Sequence, residues 1–163
     1  MSDISYEVKE NVLSADHFQL VSNFLFYSEI WKCLPYTADP TNDINDKSLQ
    51  CNLFNYEALL IPFFNTLNIK ELFIARANCN FNRDKHYKTG FHTDINHIPD
   101  NCFTSVFYVN TNNGGTQLGG EYGFFIPSVA NSLVEFPTST LHAGVWQTDV
   151  PFRYVINLSY TKT

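Results

Sequence analysis

In the stretch GFHTDINH, residues 90–97, a histidine and an aspartate stand two positions apart, at His92 and Asp94. An imidazole nitrogen and a carboxylate oxygen at that spacing either share a divalent cation or serve an ordinary Asx turn, and the motif alone does not choose between them. Fifty residues further on, STLHAGV (139–145) sets His142 among small and apolar residues. That separation rules out a local metal clip, whereas a closed β-fold brings such distant segments together. Two imidazoles and one carboxylate occupy one face of an octahedral ion and leave three positions open.

Such a facial triad is the ligand set of mononuclear non-haem Fe(II) oxygenases, which use the open positions for co-substrate and O₂. Eleven residues after His142, RYVINLSY (153–160) alternates strictly. Arg153, Val155, Asn157 and Ser159 fall on one face of a strand, and Tyr154, Ile156, Leu158 and Tyr160 on the other. The polar face is expected to line a cavity. A guanidinium there forks both oxygens of a carboxylate and keeps its charge at neutral pH. A dicarboxylate that chelates a metal through its other end fits this arrangement.

The elements that must position these groups follow from periodicity and punctuation. YEVKENVLS (6–14) reads as a short strand, and Ser14 offers an N-cap to a helix over 15–34 that Pro35 stops. The acidic, turn-rich TADPTNDINDKSLQ (37–50) reads as an exposed loop. A second helix is expected over 56–67, with Asn55 as its cap and Pro62 kinking it or marking a restart. From Leu72 onward, short runs rich in Phe, Tyr, Val and Ile predict strands near 72–80, 86–92, 103–110, 121–126, 132–137, 143–147 and 152–161. A strand through the HxD gives its spacing a mechanical reason, since residues i and i+2 share a face. Seven such strands suggest a sandwich or barrel buttressed by the helices. The glycine pairs 114–115 and 119–120 lack the helix and lysine of a phosphate loop and read as turns.

Bulk properties narrow the class. The chain has 163 residues, 44% of them apolar and 16% aromatic, which fits one domain with a substantial β-rich core. Its net charge of −6 removes the usual footprint of a nucleic-acid binder. No opening leader and no membrane-length apolar run is visible, so a cytoplasmic location is expected, the host cytoplasm if a virus encodes it. Cys33, Cys51, Cys79 and Cys102 lack metal-site spacing and read as buried thiols. His17, His86 and His97 are read as non-ligands, the first in a helix and the others in loops beside the HxD.

The order HxD, distal His, then Arg resembles the 2-oxoglutarate- and Fe(II)-dependent dioxygenases, most closely their prolyl-4-hydroxylase-like branch. The run CFTSVFYVNTNNGGTQLGGEYGFFIPSVANSLVEFPTSTLHAGVWQTDVPFRYVINLSY (102–160) is similar to the C-terminal half of small dioxygenases encoded by phages and marine microbes. With RANCNF (76–81) and FHTD (91–94), the resemblance covers about half the chain. It implies one oxygenase domain over 1–163: a helical support region (1–70) and a double-stranded β-helix, or jelly-roll, core (71–163) of cupin-like form. It further implies that His92, Asp94 and His142 hold Fe(II) and that Arg153 and Tyr108 pair the distal carboxylate of 2-oxoglutarate. Thr104 shares the Tyr108 face as a cofactor-side residue, and Arg76 and Asn78 fall on the family's RxN strand at the pocket wall or substrate. O₂ is the oxidant, with ascorbate as a reductant.

Substrate identity is left open by departures from the pattern. Relatives often carry Arg where this chain has Ser132, and their N-terminal region is not matched. The loops FNRDKHYKTG (81–90) and INHIPDN (95–101) are the expected substrate lid, for a prolyl peptide, a free amino acid or other small molecule, or a nucleobase. Two other classes stand beside this reading: a non-catalytic β-sandwich binding module, and a cupin-type metalloenzyme that does not use 2-oxoglutarate.

Overall fold

The computed structural model describes residues 4–34, 48–95, 99 and 101–163. Helix α1 (Ala15–Tyr27) starts at Ser14, whose hydroxyl accepts from the His17 amide at 3.4 Å. It stops well short of residue 34. Ser28 is extended and its amide closes on the Phe24 carbonyl, while the Trp31 indole donates to Leu25 O at 3.1 Å. The released residues form an edge strand, β2 (Lys32–Leu34), paired with β3 (Ser48–Asn52). Residues 37–47 of the expected loop lie outside the described residues, but Ser48–Gln50 are not loop. They are strand, with Ser48 and Gln50 buried, because β3 completes the hydrogen bonding of β4 (Ile69–Phe81).

Helix α2 (Glu57–Leu67) runs through Pro62 and is capped at Tyr56 without a side-chain bond, not by Asn55. Asn68 ends it in the left-handed conformation, with φ 53°. The remaining strands are β1 (Glu7–Lys9), β5 (Cys102–Tyr108), β6 (Gly115–Leu118), β7 (Phe124–Pro127), β8 (Ser132–Pro137), β9 (His142–Val145) and β10 (Phe152–Lys162). All pair antiparallel, in a seven-stranded sheet of order β1-β8-β5-β10-β4-β3-β2 and a three-stranded sheet of order β7-β6-β9.

Two sequence expectations fail in this region. Residues 86–92 are not a strand: their main chain pairs with β9 at two isolated bridges, Lys88–Val145 and His92–His142. Gly115 is not a turn residue but the first residue of β6, where a Cβ would sit 2.2 Å from Ile126 O. Backbone proximity to β7, not turn geometry, requires that glycine. Gly119 and Gly120, at φ 76° and 89°, do form the expected turn.

The large sheet separates two cores. On one face Ile156, Leu158 and Phe107 meet Val21, Leu25, Phe63 and Leu67 of the helices, and the Phe63 and Phe107 rings meet edge to face at 5.0 Å. Full burial of each such side chain contributes roughly 1.5–3 kcal/mol. On the other face Val106, Tyr108, Val134 and Val155 pack against Leu118 and Ile126 of the small sheet. The β10 alternation thus divides as expected, Ile156, Leu158 and Tyr160 toward the helices and Arg153 and Val155 toward the second sheet. Of the four free thiols, Cys51, Cys79 and Cys102 are buried, whereas Cys33, on the edge strand, is exposed.

Candidate metal centre

His142 opens β9, and the main chain of His92 pairs with it across the gap between the sheets. Asp94 follows in a bend two residues later. The HxD spacing is therefore met by a bridge and a bend in place of a strand. One ligand atom from each of His92, Asp94 and His142 lies within 4.8 Å of the others. Nε2 of His92 is 3.8 Å from Asp94 Oδ1, and Nε2 of His142 is 3.6 Å from Oδ2.

Each imidazole is oriented from behind. Nδ1 of His92 faces Gly90 O at 3.0 Å and Nδ1 of His142 faces Thr140 O at 3.2 Å, which places the proton on Nδ1 and leaves the Nε2 lone pair toward Asp94. Burial lowers the pKa of His142; Asp94 and the Thr140 carbonyl oppose that shift, and His92 and Arg76 add to it. A neutral imidazole is the form that ligates.

Asp94 supplies the test of fit. Its side chain is 2% exposed, yet Oδ2 has no hydrogen-bond partner and Arg76 Nη2 stands 3.9 Å from Oδ1. A buried carboxylate left so is costly unless a cation sits beside it. Two Nε2 atoms and this oxygen form a donor set suited to Fe(II), Mn(II) or Zn(II).

The triad opens onto a pocket between the sheets, lined by His92, His142, Thr89, Trp146 and inward residues of β4 and β10. Strand pairing explains the lining, because residues opposite each other point to the same face. Asn80 faces Arg153, Asn78 faces Val155, which in turn faces Tyr108, and Arg76 faces Asn157, which faces Val106. Among the described residues, buried polar atoms without a partner concentrate here: Arg76 Nε, Asn78 Oδ1, Asn80 Nδ2, Asp94 Oδ2 and Asn157 Oδ1.

Arg153 occupies the far row, 3% exposed. Its Nε donates to Ser128 Oγ at 3.0 Å, Nη2 to Gly115 O at 2.9 Å and Nη1 to Asn80 Oδ1 at 3.4 Å. No carboxylate of the described residues pairs with it. Burial pulls its pKa down to about 10, with Tyr108 opposing, so the cation persists at neutral pH. The Tyr108 ring lies 5.8 Å from the guanidinium carbon, and its hydroxyl donates to Thr116 Oγ1 at 2.8 Å. Burial pushes this phenol up to about 12, with Arg153 and the Thr116 bond opposing.

The fold therefore gathers His92, Asp94, His142, Arg76, Asn78 and Arg153 around one space, with Tyr108 behind Arg153. Thr104 is not brought there: it is two rows from Tyr108, in a buried hydroxyl cluster with Thr138 and Ser159. Asn80 was not singled out from the sequence, although continuing the Arg76–Asn78 alternation by one step reaches it. Thr89 is also new. Its Oγ1 accepts from Gly144 N at 2.9 Å and its amide donates to Gly144 O at 2.9 Å, tying the segment before the HxD to β9. His17 donates its amide to the Ser14 cap of α1 and His86 bonds Trp146 O at 2.8 Å, both apart from the triad, and His97 lies outside the described residues.

Comparison with known proteins places this architecture. No family model and no curated protein matches the sequence. Solved structures match the fold over nearly the whole chain. A Trichoplax adhaerens prolyl hydroxylase in complex with a hypoxia inducible factor peptide aligns with a TM-score of 0.71 at 13% identity, covering 98% of this chain and 84% of that one. A Pseudomonas putida prolyl-4-hydroxylase gives 0.64 at 12% identity, with 99% and 95% covered. HygX from Streptomyces hygroscopicus, with nickel, 2-oxoglutarate and hygromycin B bound, gives 0.60 at 9% identity, with 98% and 84% covered. The chain has the double-stranded β-helix fold of these 2-oxoglutarate oxygenase structures.

Proposed function

We propose that this protein is a 2-oxoglutarate- and Fe(II)-dependent oxygenase that hydroxylates a C–H bond of its substrate. The observation that carries the reading is a single pocket with a His-Asp-His cluster at one side and a buried, carboxylate-free arginine at the other. A cupin-type metalloenzyme without 2-oxoglutarate has no use for that arginine, and a passive binding module has no use for either group.

In this reading His92, Asp94 and His142 hold the metal, which supplies O₂ activation when bound. Arg153 receives the distal carboxylate of 2-oxoglutarate, and its three neutral neighbours, Ser128, Gly115 O and Asn80, hold the guanidinium plane in place. Tyr108 keeps its proton and supports the cation through its ring. Gly90 O and Thr140 O fix the histidine tautomers. The overall change balances as substrate C–H, 2-oxoglutarate and O₂ giving substrate C–OH, succinate and CO₂. Fold likeness to two prolyl hydroxylases, one of them holding a peptide, supports a prolyl peptide as the first substrate to try.

Anaerobic titration with Fe(II) and 2-oxoglutarate tests the proposal. A weak visible absorption band, followed by succinate release on admitting O₂, is expected. Metal binding without a 2-oxoglutarate-dependent band overturns the oxygenase reading.

A further inference from the structure

Beside the metal pocket runs a second groove, lined by Lys32, Gln50, Asn52, Phe54, Phe73 and Arg76 among others, and Arg76 belongs to both. Register explains why the two are continuous. Lys32 pairs with Gln50, and Gln50 with Asn78, while Asn52 pairs with Arg76. Paired positions point to one face, so these side chains extend the polar rows of the metal pocket across β3 to the edge strand β2. Adjacent strands are roughly 4.8 Å apart, so Lys32 stands about 10 Å from β4, within reach of a substrate seated near the metal.

The charge of this groove opposes that of the chain. The protein carries −6 overall, yet among the described residues the side chains lining the groove include two cations and no carboxylate. Lys32 forms no ion pair among the described residues, and its field lowers the pKa of neighbouring Cys51 against the effect of burial. The Arg76 side chain is 31% exposed, its Nε is buried without a partner, and its one acidic neighbour among the described residues, Asp94, is 3.9 Å away and belongs to the triad.

We infer that this groove is the substrate subsite, and that the substrate carries an anionic group, a carboxylate or a phosphate, held between Arg76 and Lys32 with Gln50 and Asn52 alongside. The inference rests on the oxygenase reading for its claim that the occupant is substrate. The groove's preference for anions is a separate matter that binding alone decides. Under this assignment the fork-shaped donors of Arg76 orient the anion, and Lys32 supplies charge at longer range.

The test uses the full chain and two matched pairs of probes: N-acetylproline with its amide, and phosphoserine with serine. Binding is followed by NMR shifts of the Lys32, Gln50 and Asn52 amides. One anion is expected to bind at least about ten-fold tighter than its neutral twin, with the pair that responds distinguishing carboxylate from phosphate. Lys32→Glu and Arg76→Gln should each erase that preference. Equal binding of the neutral twins, a preference that survives Lys32→Glu, or no binding of either anion at millimolar concentration overturns the inference. Anion preference without any Fe(II)-dependent succinate formation instead overturns the oxygenase reading and leaves the anion site standing.

Discussion

The main chains of His92 and His142 exchange two hydrogen bonds of 3.0 Å, and their rings consequently stand 4.5 Å apart between centroids. Two candidate ligands fifty residues distant are thus coupled by backbone. The third, Asp94, hangs from the bend that follows this bridge.

Asp94→Ala separates metal binding from folding. It removes a buried carboxylate whose Oδ2 has no hydrogen-bond partner and whose contact with Arg76 is a long 3.9 Å, so the metal-free variant should lose little or no stability. The parent should gain about 2.7 kcal/mol with Mn(II) at a hundred times its dissociation constant, and the variant should gain none. Denaturant titrations with and without Mn(II) measure both. A retained metal effect would remove Asp94 from the site.

Arg153→Met trades a buried cation for an apolar side chain of similar length. Without 2-oxoglutarate the lost hydrogen bonds to Ser128 Oγ, Gly115 O and Asn80 Oδ1 are offset by relief of the buried charge, so stability should change by no more than about 1–3 kcal/mol. Calorimetry should register no 2-oxoglutarate binding to its metal-loaded form. Binding within a few-fold of the parent's would place the co-substrate elsewhere.

Gly115→Ala tests the support behind Arg153. The added methyl meets Ile126 O and the Phe125 ring, and Gly115 O is an acceptor of the guanidinium. A stability loss of about 1–3 kcal/mol is expected, with weaker 2-oxoglutarate binding. Urea unfolding and calorimetry of one preparation supply both numbers.

Tyr108 gives a pH signature. The folded chain holds this proton up to about 12, against an ordinary value of 10.0 when unfolded. Below pH 10 both states are neutral and the group adds no pH dependence. Above it the unfolded state ionises first, so stability falls by about 1.4 kcal/mol per pH unit until the folded pKa is reached. Tyr108→Phe lacks this loss, so the stability difference between parent and variant should shift by roughly 2–3 kcal/mol from pH 10 to pH 12. Urea midpoints across that range check it, and parallel curves would contradict the assignment.

Strong alternation made β10 legible from the residues alone, because a two-residue period with one apolar face admits few other structures, while β8 was legible from its run of apolar residues. Helix α1 was legible at its Ser14 cap and not at its end, where nothing in the local sequence announces that Trp31 will take the Leu25 carbonyl. β3 was hidden because Ser48 and Gln50 look solvated until β4 needs a neighbour. β6, four residues that begin on the second glycine of one pair and end before the next pair, carries too short a pattern to separate from turns. For the candidate site, residue types pointed to the histidines, Asp94 and Arg153. Asn80 and Thr89 were missed because their positions depend on pairings between distant segments.

From Phe152 opposite Phe81 to Ser159 opposite Ile74, β10 and β4 pair without a shift, so every pocket residue on them sits at a fixed parity. Deleting one residue between Arg76 and Phe81 would send one side's asparagines into the hydrophobic layer and turn apolar neighbours toward the metal. Substitution there adjusts affinity one group at a time, whereas a single-residue deletion inverts the whole lining.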